Sequence, residues 1–237
     1  MISLLTISEI EIEVERKKIK NMHLAVYPPD ARVHLSMPDY LTDDDAKAFI
    51  IQKWEWVRKQ REVVLAQPRQ TERQYVSGES HFLFGKRYEL LVEELPHYPN
   101  VIQMQGKKIY MLVKPDTTIE QRATIMREWY RAQLKNQLAT TIKRWAKRLG
   151  ESNYDWQVKQ MKTEWGSCVK SKRMLIFNLE LARVPIECLE FVVVHEFCHF
   201  VIDNHNKFFE ALMTKRLPNW RTLRKQLNDF IALPYKE

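Results

Sequence analysis

At 237 residues, with 45% hydrophobic and 29% charged side chains, the chain has the balance of a soluble globular protein with a sizeable core. An aromatic content of 11% excludes wholesale disorder, no apolar run reaches the length of a membrane span, and the five glycines form neither GxGxxG nor a P-loop. The net charge of +8 admits nucleic acid, a membrane surface or acidic protein as partners.

The first residues carry no basic segment and run at once into Glu9, Glu11 and Glu13, which does not read as a secretory signal. Ile10, Ile12 and Val14 alternate with those glutamates, a period of two that predicts a strand. Lys17-Lys18 permits a turn; Met22, Leu24 and Val26 alternate again. Pro28-Pro29-Asp30 breaks the run, and Val33, Leu35 and Met37 resume it. The pattern predicts an antiparallel meander with one polar face.

Thr42 followed by Asp43-Asp44-Asp45 marks a helix start, and the helix is expected to continue to about residue 66. Residues 67–80 are polar and read as a loop. Hairpins are expected around Gly85-Lys86 and Gly106-Lys107. Asp116-Thr117-Thr118 opens a long helix to about Leu149, closed by Gly150. Residues 161–165 and 174–178 read as strands. A helix led by Pro185 is expected to reach about Ile202; Asn206 caps another, and Pro218 separates it from a last one over about 221–230.

The informative segment is His195-Glu196-Phe197-Cys198-His199, an HExxH motif inside an apolar run. Chance yields about 0.02 such matches in a chain of this composition. Positions four apart share one helix face, so His195 and His199 are placed to bind one Zn²⁺, with Glu196 as general base toward an activated water. A catalytic zinc usually keeps three protein ligands and an open position. His205 is the preferred third ligand, brought back by a turn at Asp203-Asn204; Asp203 and Glu210 remain alternatives.

Trp165-Gly166-Ser167-Cys168 precedes this helix and reads equally as a packed strand end or as a strand that pairs with an extended substrate. The three cysteines, Cys168, Cys188 and Cys198, make no CxxC pair and read as free thiols of a reducing cytoplasm. Residues 117–150 hold eight basic against two acidic side chains, +6, and 157–173 hold five (Lys159, Lys162, Lys170, Lys172, Arg173) against Glu164, +4. Lys143, Arg144 and Lys147 are the candidate contacts to DNA or RNA, weighed against an ordinary solvated helix face.

The chain resembles the YgjP-like metallopeptidases, an intracellular branch of the zincins. The residues that carry this are Trp165-Gly166-Ser167-Cys168, Ile176-Phe177-Asn178, Pro185, Val193-Val194-His195-Glu196, His199, Asn204-His205, Lys207 and Phe209. Toward the N-terminus, Val33-His34-Leu35, Trp54, Trp56, Ser77-Gly78-Glu79 and Leu83-Phe84-Gly85-Lys86-Arg87-Tyr88 also fit. One departure is Glu210, where members usually carry a large aromatic. Metzincins share the spacing of the third His but have Gly where this chain has Ile202. WLM and SprT-like proteases, which act on proteins bound to DNA, resemble it more distantly.

The resemblance implies a zinc-dependent peptidase with one Zn²⁺ per chain, acting on peptides or proteins, cytoplasmic and without a membrane partner. The alternatives are a non-catalytic metal-containing module that binds nucleic acid or protein, or a protease acting on DNA-bound proteins. The expected fold is α+β, with a β-rich region of antiparallel strands over residues 1–115 and a zincin-like helical metal-site region over 116–237.

Overall fold

The computed structural model describes residues 2–27, 30–66, 73–161 and 164–230, without the side chains of Val63 and Ala66. Pro28, Pro29, part of the polar loop (67–72) and Lys162 thus lie outside the described residues. The fold is α+β, in two compact units, one within residues 1–72 and one spanning Arg73–Phe230. The division falls upstream of the expected boundary at residue 115, because the strands just before that point share a core with the helices after it.

The first unit holds β1 (Ile2–Ile7), β2 (Ile10–Lys17), β3 (His23–Tyr27) and β4 (Arg32–Pro38), then α1 (Asp43–Gln52) and α2 (Trp54–Ala66). The alternation seen in the sequence works as expected: Ile12, Val14, Val33, Leu35 and Met37 are buried and pack with Ala46, Ile50 and Val57. The pairing does not follow the expected meander. Strand order is β1-β2-β4-β3, and β2 runs parallel to β4, with Ile12 opposite Val33 and Val14 opposite Leu35. The antiparallel partner of β2 is β1, reached through Ser8 and Glu9, both at positive φ. Asn-Gly is the usual signal for that turn, so this one was silent in the sequence. The expected single helix after Thr42 is broken at Lys53 into α1 and α2.

The second unit opens with β5 (Ser80–Leu83), β6 (Lys86–Glu94), β7 (Val101–Gln105) and β8 (Lys108–Val113), followed by α3 (Ile119–Leu149). Strand order is β5-β6-β8-β7 with β6 parallel to β8, the same arrangement as in the first unit. α3 begins in a capping box of Thr118 and Gln121 and ends at Gly150 in the left-handed conformation, as the sequence predicts. Met126, Tyr130, Leu134, Leu138, Ile142 and Trp145 form its buried stripe.

A three-stranded sheet follows, in the order β10-β11-β9: β9 (Asp155–Lys159), β10 (Gly166–Val169) and β11 (Met174–Asn178). The strand expected over 161–165 is not formed at its described ends. Here the buried Asn178 side chain donates to the carbonyls of Met161 (3.0 Å) and Glu164 (2.7 Å), holding an irregular approach to β10. β9, which the sequence reading lacked, runs parallel to β11.

Three helices complete the unit: α4 (Ile186–Cys198), α5 (Lys207–Arg216) and α6 (Trp220–Phe230). α4 ends at Cys198 rather than near Ile202, because the chain after it turns back on itself. Its start is held by the β5–β6 turn. Phe84 N–H donates to Ala182 O (2.8 Å) and Gly85 N–H to Arg183 O (3.0 Å). Gly85 sits at φ +78° against Pro185, so close that a Cβ would lie 2.9 Å from the proline ring. No helix among the described residues is long and apolar enough to cross a membrane.

Candidate metal centre

α4 is buried along most of its length. Cys188, Leu189, Phe191, Val192, Val193, Val194, Phe197 and Cys198 fill the core around it, so its polar residues sit on an apolar element. His195 and His199, one turn apart, have their Nε2 atoms 3.2 Å from each other. The turn after α4 and the Asn206 cap of α5, which accepts from Phe208 N–H and Phe209 N–H, bring His205 back beneath them. Its Nε2 lies 3.2 Å from that of His199 and 2.9 Å from that of His195.

The two other candidate ligands are engaged elsewhere. Asp203 pairs with Lys170 at 2.9 Å, and Glu210 with Arg221 at 2.8 Å. Among the described residues, His195, His199 and His205 are the group able to hold a metal ion.

The donor chemistry fits Zn²⁺. Three nitrogens at 2.0–2.1 Å around one tetrahedral ion stand about 3.3 Å apart, close to the observed triangle. His199 Nδ1 lies 3.0 Å from the carbonyl of Ile202. That contact requires the proton on Nδ1 and leaves Nε2 as a lone pair, the usual device for orienting a ligand histidine. Burial, then the charges of His199, His205 and Arg224, push His195 down to about 3; burial, then His199 and Arg224, lowers His205. Both are therefore neutral donors near pH 7. The ring of Phe209 packs on all three imidazoles, at 4.9, 4.7 and 4.8 Å between centroids. The sequence reading named Phe209 only through the family pattern and gave it no role.

Glu196 lies against β10. It is buried. Burial, with a smaller contribution from the charge of Glu164, pushes it up to about 8 in the metal-free chain. Gly166, the first residue of β10, lies directly against it: a Cβ there would be 2.6 Å from Glu196 Oε1.

Ser167 and Cys168 continue β10, which pairs with β11 on one side only among the described residues. Trp165 leads into the strand, and its carbonyl accepts from Asn178 N–H at 2.9 Å. Burial, then the negative charge of Glu196, pushes Cys168 up to about 11, a thiol poorly suited to act as a nucleophile.

The basic residues read from the sequence fall in two places. Lys143, Arg144 and Lys147 are exposed on the last turns of α3, and Arg144 is bound to Glu190. In the second basic stretch, Lys170 pairs with Asp203, and Arg173 binds Glu151 and lies over the Phe200 ring.

A helix carrying two histidines and a glutamate, a third histidine beyond a turn and an edge strand beside the glutamate make a site of the metallopeptidase class. The family described as YgjP-like, metallopeptidase domain, matches residues 20–230, and the chain belongs to it. It is thus a peptidase hydrolase whose family acts on peptide or protein substrates through a bound metal.

Among solved structures, the chain is similar to the metallopeptidase zymogen of Pyrococcus abyssi abylysin, at 10% identity over 42% of this chain and 99% of that one, with a TM-score of 0.38. It is also similar to the metallopeptidase zymogen of Methanocaldococcus jannaschii jannalysin, at 18% identity over 40% of this chain and 96% of that one, with a TM-score of 0.36. No curated protein matches its sequence.

Proposed function

We propose that the chain is a zinc-dependent peptidase in which His195, His199 and His205 hold one Zn²⁺ and Glu196 is the general base. The observation that carries this reading is the convergence of three Nε2 atoms within 3.2 Å of one another, beside the helix that also carries the buried Glu196. Bound Zn²⁺ supplies Lewis acidity, polarising a carbonyl and making water acidic near neutral pH.

The chain's own groups do the rest. The free edge of β10 receives the substrate backbone as an added strand, with Trp165, Gly166, Ser167 and Cys168 along its path. Because Gly166 has no side chain, that backbone passes close to Glu196. The Glu196 carboxylate takes a proton from water and returns it to the leaving amine. His199 is held in one tautomer by Ile202 O, and Phe209 fixes the planes of all three rings. Three free thiols, two of them buried, suit a reducing compartment such as the cytoplasm.

The test is Glu196→Gln, assayed for metal content and for hydrolysis of an unfolded protein substrate. We expect one Zn²⁺ per chain retained and the rate reduced by about 10²–10⁴, the usual worth of a general base. Undiminished hydrolysis by the variant would refute the assignment.

A further inference from the structure

Between α5 and α6 lies an open pocket of about 420 Å³, within the range of small-ligand sites. Two aromatic rings link it to the histidine triangle. Its wall Trp220 stacks on Phe191 at 6.5 Å, and Phe191 in turn meets the edge of the His195 ring at 5.8 Å. On its other side Glu210 follows Phe209, the residue packed on all three imidazoles.

The lining is charged and unevenly satisfied. Arg221, Arg224 and Lys225 face Glu210 and Asp229, three cations against two carboxylates, hence +1. Glu210 and Arg221 neutralise each other. Arg224 is exposed and, among the described residues, has no carboxylate within ion-pair distance.

We propose that this pocket is a specificity subsite for a substrate carboxylate, with Arg224 as its charge partner. The proposal rests on the peptidase reading, since a peptide brings no other anion of its own. The carboxylate belongs to an Asp or Glu side chain near the scissile bond, or to the substrate's C-terminus. A guanidinium offers either one two parallel hydrogen bonds. Trp220, buried and fixed by its Nε1–H on Thr214 Oγ1 at 3.0 Å, gives the pocket a rigid wall.

The test is cleavage of a defined mixture of peptides by the zinc-loaded protein, read by mass spectrometry. Wild type, Arg224→Glu, Arg224→Lys and Glu196→Gln are compared, and each peptide is supplied with a free and with an amidated C-terminus. Wild type is expected to prefer Asp or Glu over Asn or Gln at one fixed position, or a free over an amidated C-terminus, by about tenfold or more. The preferred arm identifies the source of the carboxylate. Arg224→Glu should abolish the preference or turn it toward Lys and Arg, and Arg224→Lys should keep most of it. Cleavage without acid preference, or a preference that survives Arg224→Glu, overturns the subsite and leaves the peptidase reading intact. Equal cleavage by wild type and Glu196→Gln overturns the peptidase reading, and the subsite falls with it.

Discussion

Gly166 has no unusual backbone conformation; what forbids a side chain there is Glu196. A Cβ would sit 2.6 Å from Oε1 and 2.9 Å from Cγ of that residue. Glu196 is only 4% exposed, so it has little room to withdraw. Gly166→Ala should therefore displace the carboxyl without touching the three histidines. The expected outcome is unchanged zinc content with kcat reduced by about 10- to 100-fold, as for a misplaced catalytic group. A normal kcat in this variant would show that the carboxyl's position against β10 does not matter. Asp203 and Glu210 carry a similar lesson. Each has the chemistry of a metal ligand, and each is drawn off by a cation from another segment.

At the scale of elements, the site depends on where β10 and α4 are held. Asn178 is the tie for β10. Its amide satisfies the carbonyls of Met161 and Glu164, and its Oδ1 accepts from Glu180 N–H at 3.2 Å. Asn178→Ala leaves these groups without their partner, at a cost of about 1–3 kcal/mol. The melting temperature should fall, and KM for a peptide should rise as the edge strand loosens, with zinc binding retained. A variant with wild-type stability and KM would mean that the approach to β10 holds its shape without this side chain. α4 is fixed differently, by the two hydrogen bonds from the Phe84-Gly85 turn and the close contact of Gly85 with Pro185.

Over the whole molecule, one arrangement occurs twice. Each unit has two hairpins joined through a parallel central pair of strands, followed by a helix that starts at a threonine capping box, Thr42 with Asp45 and Thr118 with Gln121. Pro-Asp precedes both helices, at Pro38-Asp39 and Pro115-Asp116. The second copy carries the buried His81. It accepts from Arg73 Nη1 at 3.1 Å and lies near Tyr130. Burial, then the charges of Arg73 and Arg183, push His81 from 6.5 down to about 3.

In that window the unfolded chain binds the proton and the folded chain does not. Stability from this group is therefore complete above pH 6.5 and is lost on acidification toward pH 3, by about 1.4 kcal/mol per pH unit at most. His81→Gln should flatten the fall in melting temperature between those values relative to wild type. Parallel profiles for the two proteins would exclude His81 as the source.

The sequence by itself determined what short-range geometry controls. HExxH places two imidazoles on one helix face. Alternating Ile12, Val14, Val33, Leu35 and Met37 select a buried sheet face. Thr118, Gly150 and Asn206 mark helix ends through bonds to their immediate neighbours. A period of two does not say which strand lies alongside or in which direction, because hydrogen-bonded pairing joins residues far apart in sequence. Only the tertiary structure therefore decided the parallel pairs β2–β4 and β6–β8 and the place of β9. For the same reason it alone put Glu196 against Gly166, set His205 rather than Asp203 or Glu210 beside the helix pair, and left Arg224, among the described residues, without a carboxylate partner in the pocket between α5 and α6. These outcomes depend on which distant side chains reach a charge or fill a space first, and the order of residues along the chain does not record that.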